Sequence, residues 1–432
     1  VINKSLTTRS LIALVAGLGL GLIGHHFGGP VFEGLAAWVK PLGALWVAAL
    51  QLTVLPLIVT HLLAAICNAG TKSVGKAGVR ALFIFIVLLV ASGTFAVLLA
   101  KPIVARLPVD ATTLASLASA APTVSKPETS AVQNTSLSEW IGKLLPTNIL
   151  DAGVRGDIFP ILLFTAFFGL AVTRLPPERS LLLTNVFQGL ADAMLELTSW
   201  VLVVTPLGVF ALTYVLAFTT GGAAGGMLGA YIVIASVLMI LFTLLLYPLT
   251  ALLGKTRIVQ FARGVAPAQL LAISTRSSIA ALPALVKGGV EHLHLPAVGT
   301  SFVLPLSVSV FKVNRPISSV VKLMLVAHVY GVPLRPGTLV IFVATVILLS
   351  FTAAGIPQSG PGLKTLPAYL AAGVPIEGIL VLEAVETIPD IFKTLLNVTG
   401  DMSAAVLLTR AQRGDESEVA TIAEPAPAES VL

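Results

Sequence analysis

Charge is scarce in this sequence: Asp, Glu, Lys and Arg make up only 11% of its 432 residues, whereas a soluble domain carries roughly a quarter. Water is therefore not its main solvent. Cysteine is scarcer still. Cys67 stands alone, which rules out an internal disulfide, and neither a CxxC pair nor a His/Cys cluster offers a metal site. What fills the chain is apolar, 56% of it hydrophobic with a mean hydropathy of +0.97. The apolar residues fall in runs of the length needed to cross a bilayer, about 20 residues each. A net charge of +6 would point to nucleic acid in a soluble protein. Here the cations sit in short loops beside apolar runs, which is a signature of membrane topology, so no nucleic-acid partner is expected.

Six apolar segments come first, near 10–28, 42–69, 79–105, 158–174, 182–217 and 226–253. The first follows Lys4 and Arg9 but is not followed by a small-residue cleavage site, and it reads as a retained helix. With the N-terminus cytoplasmic, Lys72, Lys76, Arg80, Arg174, Arg179, Lys255, Arg257, Arg263, Arg410 and Arg413 all fall inside. The uncharged loop 218–226 then faces outward, and both termini are cytoplasmic. The Ala/Ser/Thr/Pro-rich stretch 106–145 reads as a flexible external loop, and the acidic, proline-containing 412–432 as a disordered cytoplasmic tail.

The second half is patterned differently. Segments 258–273 and 279–290 are too short to cross singly and flank the polar break Ser274, Thr275, Arg276, Ser277, Ser278. A long apolar helix follows at 298–332. The pattern then repeats, with 338–354 and 363–372 around Gly355, Ile356, Pro357, Gln358, Ser359, Gly360, Pro361 and Gly362, and a last helix at 375–411. Two copies of re-entrant hairpin plus helix make an inverted repeat whose tips are expected to meet at a solute site, since irregular backbone at membrane depth must be satisfied by protein or a wet cavity.

The last helix carries Glu383, Glu386, Asp390, Lys393, Thr394, Asn397 and Asp401 at steps of three and four, which places them on one face. Each ionised group at the bilayer centre costs about 2.5–3.5 kcal/mol on insertion scales, so such a stripe faces partners or a cavity. Structural ion pairs are the plainer reading; a stripe of mixed sign with amide and hydroxyl groups suits a zwitterion better. Lys312 and Arg315 lie mid-helix, with Glu386, Asp390 and Asp401 as the expected anionic partners, and Pro305 and Pro316 bracket a stretch expected to be broken. At the first tip, helix N-terminal N–H groups with Ser277 and Ser278 would cradle a carboxylate beside Arg276, although serines there also serve as plain caps.

These residues resemble the dicarboxylate/amino acid:cation symporters. The resemblance is carried by LQLTVLPLIVTHLLAAI, LLPTNIL, DIFPILLFTAFFGLAV, TPLGVFAL, STRSSIAALP, AAGIP and NVTGD, and it extends over nearly the whole chain before the tail. It implies an all-α integral membrane protein of eight transmembrane helices plus two re-entrant hairpins with inverted repeats, assembled as a homotrimer that works as an elevator. The implied division is scaffold helices at 1–78 and 146–218 and a transport domain comprising 79–105 and 219–411. Ser277 and Ser278 would hold the main carboxylate of an anionic or zwitterionic substrate together with Asn397. Asp390 would hold its amino group, with Thr394 beside it, and Lys393 stands where acidic-substrate members carry an arginine for the distal carboxylate. Gly355, Ile356 and Pro357 would form the gate.

The cation sites depart from the family pattern. Where coupled members read Asn-Met-Asp-Gly-Thr, this chain reads Phe311, Lys312, Val313, Asn314, Arg315; Leu89, Ser92 and Gly93 stand in place of a Tyr and a Thr-Ser pair. Ser307 and Asp401 are remnants of the same sites, and Glu386 replaces a nearby Asp. The expectation is an acidic amino acid or C4-dicarboxylate transporter of the bacterial inner membrane that needs no sodium and no cofactor, with a proton as an open coupling ion. The alternatives are a proton- or sodium-coupled dicarboxylate symporter, a passive anion channel built on Arg276, Lys312 and Arg315, and a transport-dead sensor. An enzyme is the weakest reading, because a tip serine without a base is a poor nucleophile.

Overall fold

The computed structural model describes residues 4–71, 76–108, 148–155, 158–351 and 365–422, and among these all regular structure is helical. In order, the helices are α1 (Lys4–Phe27), α2 (Pro30–Thr71), α3 (Lys76–Val104), α4 (Ile149–Arg155), α5 (Ile158–Val172), α6 (Pro177–Val203), α7 (Thr205–Thr220), α8 (Gly222–Gly254), α9 (Ile258–Thr275) and α10 (Ser278–Glu291). A π-helical turn at Val298–Val303 leads into α11 (Leu304–Val310), followed by α12 (Asn314–Val329), α13 (Pro336–Phe351), α14 (Leu366–Ala371), α15 (Ile376–Ala384) and α16 (Pro389–Ile422). Six stretches are long and apolar enough to cross a bilayer: Thr8–Phe27, Pro30–Ala64, Gly78–Val104, Pro177–Val203, Gly225–Gly254 and Pro389–Arg410. Helices α5, α7 and α13 are shorter apolar helices. The single apolar run expected at 182–217 is two helices, with α6 ending at Val203 and α7 starting at Thr205 with Pro206 in its first turn. A proline is tolerated there because first-turn N–H groups have no intrahelical partner.

The chain forms two compact units. The first comprises Val1–Ser73, Leu89–Met239 and Asn314–Lys393, and the second Val74–Leu88, Ile240–Val313 and Thr394–Leu432. In the first unit α1 lies against α7, and α2 packs on α5, α6 and α7. The close approach of α1 is a glycine effect: a Cβ on Gly21 would stand 2.6 Å from the Tyr214 carbonyl oxygen. Tyr214 itself is buried and donates its hydroxyl to the Phe32 carbonyl at 3.0 Å. The outward faces of α2 and α6 are apolar, with Trp38 80% and Val203 70% exposed, as suits a lipid or protein neighbour rather than water.

The second unit contains the first expected hairpin as helix, turn and helix: α9 packs along α10. Gly264 and Gly288 allow the arms to touch, since a Cβ on Gly264 would lie 2.9 Å from Leu293 and 3.2 Å from the Gly288 carbonyl oxygen. Polar side chains tie α9 and α8 to α16. Tyr247 donates to Gln269 Oε1 at 3.0 Å, Gln269 Nε2 donates to Thr399 at 2.8 Å, and Thr250 donates to Ser403 at 2.8 Å. Of the second expected hairpin, the tip with Gly355, Ile356 and Pro357 lies outside the described residues, as does nearly all of the 106–145 stretch. Helix α16 continues to Ile422, past the expected end of the last span at 411.

Candidate functional site

Two helix breaks position the polar groups. The helix expected at 298–332 breaks between α11 and α12, as the bracketing prolines predict: Phe311 is extended (φ −94°, ψ 117°), and Pro316 sits in the first turn of α12. The last helix is also broken, and here the structure departs from the single continuous stripe expected from spacing. Helix α15 ends at Ala384 and α16 begins at Pro389. Pro389 has no N–H, and its ring would meet the carbonyl four residues back, so a helix cannot pass through 385–389 undisturbed. The break places Glu386 in the turn while Asp390, Lys393, Thr394, Asn397 and Asp401 remain on α16.

In the first unit the break gathers a buried cluster of charge. The Lys322 ammonium bonds one oxygen each of Glu383 and Glu386, and the Lys393 ammonium bonds the other oxygen of Glu386. Tyr231 donates its hydroxyl to Glu386 Oε1, and its ring lies 5.6 Å from the Lys322 ammonium. The side chains of Lys322 and Glu383 are 4% and 7% exposed, and those of Lys393 and Glu386 15% and 14%. Asp390 acts electrostatically on Tyr231, Tyr369 lies near Lys322 and Glu383, and Arg315 acts on Lys393. Sequence reasoning missed Lys322. Its signal was present, since a lysine within the apolar 317–327 stretch needs an anion as much as Lys312 does.

Arg315 differs from expectation. Its guanidinium donates to the Leu349 carbonyl at 3.1 Å and makes no ion pair with a carboxylate among the described residues. The Leu349 carbonyl near the end of α13 serves as acceptor, and the carboxylate of Glu386 is already taken by the two lysines. Leu89 is fully buried, and the Ser92 hydroxyl donates to the Leu89 carbonyl at 2.9 Å.

In the second unit, Arg276, Ser277 and Ser278 form the turn of the first hairpin. Arg276 closes α9 in the left-handed conformation (φ 52°, ψ 35°), and Ser277 caps α10 by accepting from the Ala280 N–H at 3.2 Å. Ser278 is buried at the start of α10. Thr394 and Asn397 are buried on α16. Asp401 is fully buried, and among the described residues neither carboxylate oxygen has a hydrogen-bond partner, although the Lys312 charge and the Ser307 hydroxyl act on it. Lys312 donates to the Val308 carbonyl at 2.6 Å, and Ser307 donates to the Leu304 carbonyl at 3.0 Å. Phe311 and Val313 are fully buried against Gly400: a Cβ there would lie 2.7 Å from Val313 and 3.3 Å from Phe311. One carboxylate, an ammonium and two apolar side chains do not make the oxygen shell that a hard cation takes. Among the described residues no group of His, Cys, Asp and Glu is arranged to hold a metal ion.

The sequence model of the Sodium:dicarboxylate symporter family matches residues 6–411. The chain is 28% identical over 415 residues to a proton/glutamate-aspartate symporter of Escherichia coli, covering 95% of this chain and 93% of that one. It is 26% identical over 420 residues to a C4-dicarboxylate transport protein of Rhodopseudomonas palustris, covering 94% and 88%. It is also 26% identical over 467 residues to a neutral amino acid transporter of Oryctolagus cuniculus, covering 98% and 84%.

Proposed function

Since the chain belongs to the sodium:dicarboxylate symporter family and is a transporter rather than an enzyme, we propose that it carries an acidic amino acid, aspartate or glutamate, or a related C4-dicarboxylate across the bacterial inner membrane without sodium. The observation that carries the reading is the pairing of Lys393 with Glu386 in a buried site beside Asp390. A lysine already neutralised by a carboxylate is a lysine built to take one, and Asp390 offers the opposite charge to an ammonium three residues away on the same helix. The family resemblance adds Ser277, Ser278, Thr394, Asn397 and the second tip at Gly355, Ile356 and Pro357 as further substrate residues. The transporter works as a homotrimer in which 219–411 moves with 79–105 as an elevator against the remainder.

Sodium independence is supported by the filled surroundings of Asp401. Lys312 supplies a fixed positive charge there, and Phe311 and Val313 occupy space where ligands would stand. The second reading is a proton-coupled symporter. It is favoured by one observation, that Glu383 and Glu386 lie on the same ammonium of Lys322, since two carboxylates brought this close disfavour each other's charged form and so favour a proton on one of them. A passive anion channel built on Arg276, Lys312 and Arg315 is disfavoured by an acidic group beside one of those cations, Asp401 near Lys312. The test is uptake into reconstituted vesicles with a panel of amino acids and dicarboxylates, with and without sodium and a pH gradient. Saturable uptake of aspartate, glutamate or succinate that ignores sodium supports the reading; conductance without saturation replaces it with the channel.

A further inference from the structure

Glu386 is divided between two cations. Its Oε2 bonds Lys393, while its Oε1 faces Lys322 and receives the Tyr231 hydroxyl. In the reading of Lys393 given above, on which this inference rests, Glu386 is a tethered stand-in for the distal carboxylate of the substrate. We propose that Lys322 is a positioning residue for acidic substrates, which keeps hold of Glu386 when the substrate's carboxylate takes Lys393.

The need for such a group follows from burial. Glu386 is only 14% exposed, and a buried carboxylate that loses its sole cation is heavily penalised. With Lys393 as its only partner, Glu386 would resist displacement and the incoming acid would compete against it directly. Lys322 removes that penalty because it approaches the opposite oxygen from another helix, α12, and does not have to move when Lys393 changes partner. Glu383 and the Tyr231 ring fix its position, with Tyr369 close to both Lys322 and Glu383. A lysine present only to pin α12 to α15 would be satisfied by Glu383. The bond to Glu386, across the turn at 385–388, is the part that pinning does not require.

The test uses the purified full-length chain in lipid nanodiscs with radiolabelled aspartate, glutamate and succinate, each of which carries a distal carboxylate. Lys322→Met should weaken their binding by more than about tenfold, because Glu386 then clings to Lys393. Glu386→Gln should tighten binding, and Lys322→Met with Glu386→Gln should come within about threefold of Glu386→Gln alone, because the competitor is gone. Lys322→Arg should retain binding. Wild-type affinity in Lys322→Met overturns the proposal, as does a double variant no better than Lys322→Met, which would mark Lys322 as a structural prop. Should Lys322→Met fail to fold, weaker acid binding in Glu386→Gln overturns it independently. Unchanged aspartate affinity in Lys393→Met locates the failure in the underlying reading of Lys393 and overturns the proposal with it.

Discussion

Phe311 stacks on Phe85 with ring centroids 4.7 Å apart and planes 12° from parallel, at the position where the family resemblance expects an amide for a cation. Both rings are buried. The buried Asp401 is acted on by the Lys312 charge and the Ser307 hydroxyl, while Val313 and Phe311 pack at Gly400 one residue before it. The positive charge that acts on Asp401 is thus covalently attached.

That arrangement gives a sodium prediction. Uptake driven by an imposed sodium gradient, at equal pH and zero membrane potential, should match uptake in choline. Lys312→Met removes the fixed charge and leaves Asp401 buried and unpaired, which costs about 3–5 kcal/mol. The purified variant should therefore melt well below the wild type, and added sodium should recover part of the loss in the variant while leaving the wild type unmoved. Steep, saturable dependence of wild-type uptake on sodium would sink the idea.

A second prediction concerns the first hairpin. A Cβ on Gly288 would fall on the Gly264 carbonyl oxygen, a backbone atom that has no rotamer with which to escape. Gly288→Ala must therefore splay α9 from α10, at a cost of the order of an overpacked core, about 1–3 kcal/mol. Gly337→Ala, at the start of α13 where nothing stands within 4 Å of the new atom, is the control. Equal thermal stability of the two variants would show that the arms do not pack as closely as described.

Much of this was legible in the chain because the bilayer enforces simple rules. Apolar run length gave the spans Thr8–Phe27 and Gly225–Gly254, and the polar break at Ser274–Ser278 located the turn between α9 and α10. Pro305 and Pro316 marked the break around Phe311. Pro389 reads equally as a helix break or as a structural kink, and it is a break, because its effect reaches back to the carbonyl of Val385. The pairing of the charges was not legible. Spacing places Glu386 and Lys393 near one another on a helix, but it does not say that Lys322 arrives from α12 to bind the same carboxylate. Nor does it say that Arg315 settles for the Leu349 carbonyl. Such choices depend on tertiary packing, to which a pattern of threes and fours is blind.

The first tip yields a third prediction. Arg276 holds a left-handed backbone conformation, which costs a non-glycine residue roughly 1–2 kcal/mol. Arg276→Gly should relieve that strain and raise thermal stability while removing the guanidinium from the tip. Ser277→Ala removes the cap on Ala280 and should lower stability by about 0.5–2 kcal/mol. Hydrogen exchange across 274–281 reads both changes. Faster exchange there in Arg276→Gly than in Ser277→Ala would reverse the expected order and show that the tip depends on the arginine side chain rather than on the cap. The same measurement tests the gate: the 355–362 segment, with three glycines, should exchange faster than 274–281 and slow on addition of substrate.

The last prediction separates amino acids from dicarboxylates. Asp390 stands on α16 one turn before Lys393, with charges of opposite sign, and an aspartate or glutamate presents an ammonium and a distal carboxylate to match them. Succinate presents no ammonium, so Asp390 gives it nothing and repels its carboxylates. Asp390→Asn removes a charge-assisted bond to the ammonium, worth about 1.5–3 kcal/mol, so aspartate affinity should fall by roughly tenfold to a hundredfold. Succinate affinity should hold or improve in the same variant, because a carboxylate of like sign has been replaced by a neutral amide. Lys393→Met must hurt both, since both carry a distal acid. Competition of unlabelled succinate against labelled aspartate in wild type, Asp390→Asn and Lys393→Met gives all the required affinities from one assay. If wild type and Asp390→Asn alike bind succinate far better than aspartate, Asp390 does not serve an ammonium, and the dicarboxylate becomes the physiological class of substrate.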